Sequence, residues 1–239
     1  MRISDKAIVL QAIRYGDRKY ILKLYTRDHG LLSVSAVTGS SAKSKLKPAM
    51  ILPLSLLEIE LIMKQNKEVQ QLNEASCYYI SENIPGNMAK LGIAQFVNEI
   101  IIKTCKEHSA NHSLFDFIES FLKYLNECDD GYNNLHIYFL MEMCRYLGIE
   151  PNNNYSQSES YFDVREGKFS SMQLPFPLGL DKPASSLLSK TIEADLTKIK
   201  LSKEERNQLL EILLAYFQMH IPGFSTPKSH TVLKEVSNA

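Results

Sequence analysis

Several absences limit what this chain can be. No run of about 18 or more apolar residues occurs, so nothing in it reads as a membrane-spanning helix. The opening residues, MRISDKAIVL, lack the apolar core and small-residue cleavage site of a secretory signal. A cytosolic protein with no membrane partner is therefore expected. Four cysteines are present, Cys77, Cys105, Cys128 and Cys144, but they are widely spaced and none forms a C-x-x-C pair. In a reducing compartment they read as small hydrophobes rather than as disulfides or metal ligands. Phosphate-cradling and dinucleotide glycine motifs, the nucleophile elbow and the H-E-x-x-H zinc motif are all missing. That argues against the common enzyme classes, and neither a cofactor nor an internal repeat is indicated.

What is present is an ordinary globular balance, 44% hydrophobic and 23% charged over 239 residues, enough for a real core. The zero net charge hides an asymmetry. Residues 1–80 carry 12 Lys/Arg against 7 Asp/Glu, whereas residues 81–239 carry 15 against 20. A basic first part and an acidic remainder suggest that one half meets a polyanion.

The same boundary separates two hydrophobic periods. Up to about Tyr79 the pattern is that of strands: AIVLQAIRY, a turn at Gly16-Asp17, RKYILKLYTRD, a short loop at Asp28-His29-Gly30, LLSVSAV, then LPLSLLEIELIMK and EVQQLNEASCYY. Five strands in about 80 residues predict a small closed barrel, of which the OB-fold is the commonest five-stranded form. From Pro85 the period becomes 3.6. Leu91, Ala94, Val97, Ile101 and Cys105 form one stripe, and Ile93, Phe96 and Ile100 a second. Further helices are expected over SLFDFIESFLKYLNE, with Ser113 and Asp116 as a capping box, over NLHIYFLMEMCRYLG, over residues 183–198, and from a Ser202/Glu205 box to about His220. The fold class expected is α+β and multidomain: a five-stranded OB-fold barrel over 1–80, then an all-α bundle over 81–239 with a small β-hairpin insertion.

Alternation along the second strand puts Lys19, Ile21, Lys23, Tyr25 and Arg27 on one face. Cations neutralise phosphates and a tyrosine ring can stack on a base, so this set suits single-stranded nucleic acid. Arg14 and Arg18 flank the preceding turn, and Lys43, Lys45 and Lys47 add charge in the following loop. An alternative is a protein-only adaptor whose barrel binds peptides. A hydrolytic metal set from His108, His112 and Asp116 is a weaker alternative, since a new helix starting near Asn111 breaks their register.

The first strands, AIVLQAIRYGDRKYILKLYTRDHGLLSVSA, the segment PLSLLEIEL and the final HIPGFSTPKSHTVLKEV resemble in order the bacterial RecO recombination mediators, particularly their Bacteroidetes branch. The resemblance covers nearly the whole chain. It implies a non-enzymatic cytoplasmic, nucleoid-associated protein of DNA repair that binds and anneals single- and double-stranded DNA. It also implies recognition of the C-terminal tail of single-stranded DNA-binding protein, and work with RecR, and possibly RecF, to load RecA. On that reading the DNA-binding set is Arg14, Arg18, Lys19, Lys23, Tyr25, Arg27, Lys43, Lys45 and Lys47, and the helical part docks partners. Two departures from the family are visible. Val37-Thr38-Gly39 stands where many members are more basic, and residues 148–172 lack the four cysteines of the family's zinc module. In that stretch YFDV and KFSS, around Arg165-Glu166-Gly167, predict a metal-free hairpin with Tyr161, Phe162 and Phe169 supplying the packing.

Overall fold

A computed structural model of the chain describes residues 1–39, 46–64, 66–106, 109–231 and 233. Five strands come first: β1 (Arg2–Arg14), β2 (Lys19–Thr26), β3 (Gly30–Val37), β4 (Leu56–Ile62) and β5 (Val69–Tyr79). They close into a barrel in the order β1-β2-β3-β5-β4, with β4 returning to pair with β1. All pairings are antiparallel except that of β3 with β5. This is the five-stranded OB-type barrel the strand pattern predicts. Gly30 has φ 66°, the left-handed conformation that the tight β2–β3 connection requires and that a side chain disfavours. Inside, Ala7, Val9, Leu22, Leu24, Val34, Leu57, Ile59 and Leu61 form one apolar cluster, which is why alternate residues of each strand are apolar.

One irregularity decides which side chains face outward. The β1–β2 register shifts between Val9 and Gln11, so Leu10 is an extra residue on β1. Before it, Ala7 and Val9 point into the core; beyond it, Ala12 does. Gln11, Ile13 and Tyr15 are thereby turned outward.

Two compact units divide the chain: Met1–Asn87 with Ile100–Glu127, and Met88–Glu99 with the chain from Cys128 onward. Helix α1 (Met88–Thr104) contributes to both. The first unit therefore also holds α2 (His112–Glu127), whose Leu114, Phe115, Ile118, Phe121, Leu122 and Leu125 are buried. The sequence places its cap at Ser113 with Asp116. In the structure Asn111 caps it instead, its Oδ1 accepting from the Leu114 amide at 3.0 Å. Asp116 faces the barrel, where Arg27 takes it as a partner.

The second unit contains α3 (Leu135–Tyr146), a two-stranded sheet of β6 (Tyr161–Asp163) and β7 (Lys168–Ser170), α4 (Lys182–Glu193) and α5 (Lys203–His220). Helix α5 begins at the expected Ser202/Glu205 capping box. Helix α4 stops at Glu193, short of the expected 198. A turn follows there, with Asp195 accepting from the Thr197 amide and hydroxyl. The hairpin explains the polar run before it. Asn154 stands in for a strand beside β7, its amide donating to the Phe169 carbonyl at 2.9 Å and accepting from the Phe169 amide at 2.8 Å. Phe162, Phe169 and Tyr216 form an aromatic cluster, while Tyr161 lies apart, beneath the Lys182 ammonium. Gly167 has φ 65°, and a Cβ there would sit 2.6 Å from the Tyr216 hydroxyl. Among the described residues no group of three or more His, Cys, Asp or Glu could hold a metal ion, and no helix is long and apolar enough to cross a membrane.

Candidate nucleic-acid interface

Residues directly opposite one another in a sheet share a face, so the register of β1, β2 and β3 lays out the barrel's outer wall row by row. At one end Tyr15, Lys19 and Val37 stand side by side, through the Tyr15–Lys19 backbone hydrogen bond of 3.1 Å and the Lys19–Val37 pairing. The next row is Ile13, Ile21 and Ser35, continued by Gln71 on β5. Then come Gln11, Lys23 and Ser33, continued by Val69. The last row is Ile8, Tyr25 and Leu31.

The two ends of this wall differ. Tyr15 is 53% exposed and Val37 64%, whereas Tyr25 is 3% exposed. Helix α2 covers the far row, with Phe115 stacked on Tyr25 at 6.1 Å between ring centroids. Burial pushes the Tyr25 hydroxyl well above its ordinary pKa, with Cys105 adding a smaller push. The Tyr25 ring is thus a core side chain and presents no face to a base. Arg27, on the same strand face, is held by α2 as well. Its Nε and Nη2 donate to the two Asp116 oxygens at 2.8 and 3.0 Å. Those hydrogen bonds, and then the charge of Arg27, hold the Asp116 carboxyl below its ordinary pKa.

The open end keeps its charge unpaired. Arg18, Lys19 and Lys23 make no ion pair with any described residue. A groove of about 450 Å3 runs beside Arg18 and Lys19, with Tyr15 and Val37 on the same side and Gln71 and Asn73 of β5 on the other. Arg14 has a different part. Its Nε donates to the Gly16 carbonyl and its Nη2 to the Asp17 carbonyl, both at 2.9 Å, which ties the guanidinium to its own turn. Lys47 is exposed beside the short 3-10 turn Pro48–Ile51. Lys43 and Lys45 lie outside the described residues.

A second groove, of about 420 Å3, lies over β1, β4 and β5 and is lined by Lys6, Glu58, Glu60 and Glu74 among others. Here charges meet partners: Arg2 reaches Glu60 at 2.7 Å, and Lys6 reaches Glu119 at 3.8 Å. Two members of the candidate metal set already have other partners. His112 pairs with Asp28 at 3.1 Å, Asp116 is taken by Arg27, and His108 lies outside the described residues.

Tyr15 is the residue that strand alternation misses. The signal available was its place next to a Gly-Asp turn between two cation-bearing strands. Without the extra residue at Leu10, alternation from Ala7 and Val9 would direct it inward.

Residues 1–80 match the family described as Recombination protein O N terminal, and residues 85–230 match Recombination protein O C terminal. Three similar proteins are each named DNA repair protein RecO. That of Phocaeicola vulgatus is 31% identical over 96% of both chains, and that of Flavobacterium psychrophilum 34% identical over 99% of both. That of Porphyromonas gingivalis is 28% identical over 98% of both. With both family halves matched in order over a barrel followed by helices, the chain belongs to the recombination protein O family.

Proposed function

We propose that this chain is a non-enzymatic mediator of DNA repair and recombination that binds DNA along the open end of the β1–β2–β3 wall. The observation that carries the reading is the set Arg18, Lys19 and Lys23, two cations on one strand face and a third at the adjoining turn, with no ion-pair partner among the described residues. A polyanion supplies that charge and releases its counterions on binding. Membership of the family and the repair names of its relatives support the same reading. In its full form the proposal has residues 1–80 contact single- and double-stranded DNA and help complementary strands anneal. Residues 81–239 then engage partner proteins: RecR, the tail of single-stranded DNA-binding protein and, where used, RecF, so that RecA is loaded. The 148–172 segment serves as a structural, metal-free hairpin in the place where the family resemblance implies a zinc module in many members.

Fluorescence anisotropy with labelled single-stranded DNA tests the central step. Binding that weakens with salt is expected, at a slope of about −0.7 per phosphate contact and hence about −2 for three contacts. Binding that is absent at low salt, or indifferent to salt, sinks the reading. Annealing of DNA coated with single-stranded DNA-binding protein tests the partner half.

A further inference from the structure

We propose that the groove selects unpaired strands, and that Tyr15 does the selecting by stacking on a single exposed base. The inference rests on the nucleic-acid reading above and adds to it the residue and the strand class. Phosphate contacts alone do not favour single strands, because a duplex presents the same phosphates at a higher linear charge density. Discrimination needs a group that engages a base face, which a duplex hides within its stack.

On this wall Tyr15 is that group. It is 53% exposed, and its hydroxyl has no partner among the described residues. It sits in register with Lys19 and with Val37, which is 64% exposed. An aromatic ring beside an exposed valine makes an apolar shelf, and the adjacent Arg18 and Lys19 are placed to hold the phosphates on either side of a base laid on it. The groove of about 450 Å3 is of a size that holds a small ligand. Across it stands Gln71, whose amide can donate to and accept from a base edge, beside Asn73, whose Nδ2 donates to Glu60 at 3.4 Å while its Oδ1 can still accept. The other tyrosine of this face, Tyr25, is buried beneath Phe115 and cannot substitute.

Arg14 is then a positioning residue. By binding the carbonyls of Gly16 and Asp17 it fixes the turn that directly follows Tyr15. Its charge serves the shelf rather than the phosphates.

The test uses the full chain with a labelled oligonucleotide, its duplex, and a single strand carrying 2-aminopurine, whose fluorescence reports stacking. Tyr15→Ala should lower single-strand affinity about tenfold, leave duplex affinity and the salt slope unchanged, and remove the 2-aminopurine signal. Tyr15→Phe should restore all three to wild-type values. Arg14→Met should reduce the stacking signal at an unchanged salt slope. If Tyr15→Ala leaves both affinities alone, or lowers both equally, the inference is overturned. Loss of binding in an Arg18→Glu/Lys19→Glu variant would show that the DNA-binding reading survives that result. If the wild-type chain binds neither DNA, the functional reading falls and this inference with it. Since Tyr15 is exposed on a turn, an unchanged melting temperature confirms that each variant is folded.

Discussion

Tyr15 and Tyr25 stand on the same outer face of the same sheet, three rows apart, in opposite surroundings. The row of Tyr25 lies beneath α2, where Phe115 stacks on its ring and Asp116 neutralises the neighbouring Arg27. The row of Tyr15 is open, with Lys19 and Val37 beside it and an exposed Arg18 at the turn. A cation-and-aromatic pattern is therefore not a binding site wherever it occurs on a strand. What separates the two ends is whether another element of the fold already supplies the complementary surface and the counter-charge. The acidic groove on the other side of the barrel follows the same logic, since Arg2 and Lys6 already engage glutamates there.

The sharpest way to separate the two ends is to truncate the covered tyrosine. Tyr25→Ala should destabilise the fold by about 3 kcal/mol, because it opens a cavity where a large ring was buried. Urea unfolding measures this directly. At temperatures where the variant stays folded, its affinity for single strands should match that of wild type. A selective loss of single-strand binding with little loss of stability would invert the assignment of the two rows.

Charge reversal at the open end should act in the complementary way. Arg18→Glu with Lys19→Glu should weaken DNA binding on the order of 10- to 100-fold at low salt and make the salt slope shallower by about 1.4, the share of two contacts. Both side chains are exposed, so the melting temperature should barely move. Reversing Glu58 and Glu74 to Lys on the acidic groove should leave DNA affinity unchanged or raise it slightly. A comparable loss from that pair would mean that the proposed face is misplaced.

Much of this arrangement was legible in the sequence because it follows from alternation and turn chemistry. The five strands, the glycine at the β2–β3 turn, the capping box at Ser202 and the hairpin around Gly167 each rest on a local rule that the structure obeys. The outward set along β2 was also read correctly as a face. Two things lay outside local rules. Covering of Tyr25 and Arg27 by α2 is a contact between segments about 90 residues apart, and no period along one strand encodes it. The exposure of Tyr15 depends on the extra residue at Leu10, which reverses the alternation of β1 partway along. Leu10 is itself apolar and buried, so the run AIVLQAI carries no polar mark of the irregularity.

The smallest effect, and the most specific to the covered end, concerns the Arg27–Asp116 pair. Hydrogen bonds from Arg27, and then its charge, hold the Asp116 carboxyl below its ordinary pKa. A carboxylate with a lowered folded-state pKa stabilises the fold above its ordinary value, near 3.8, and loses that contribution as pH falls through the folded-state value. Both partners are largely exposed, so the contribution is a small one. Asp116→Asn should therefore lower the melting temperature slightly at neutral pH, with the difference from wild type shrinking as the pH falls below about 4. Freed from its partner, Arg27 would add a cation beside the covered row. Single-strand affinity should then stay level or rise marginally, since the ring next to it remains buried under Phe115. If Asp116→Asn instead strengthened binding as much as reversing Arg18 and Lys19 weakens it, α2 would be masking a binding surface rather than completing a core, and the contrast between the two tyrosines would be one of access.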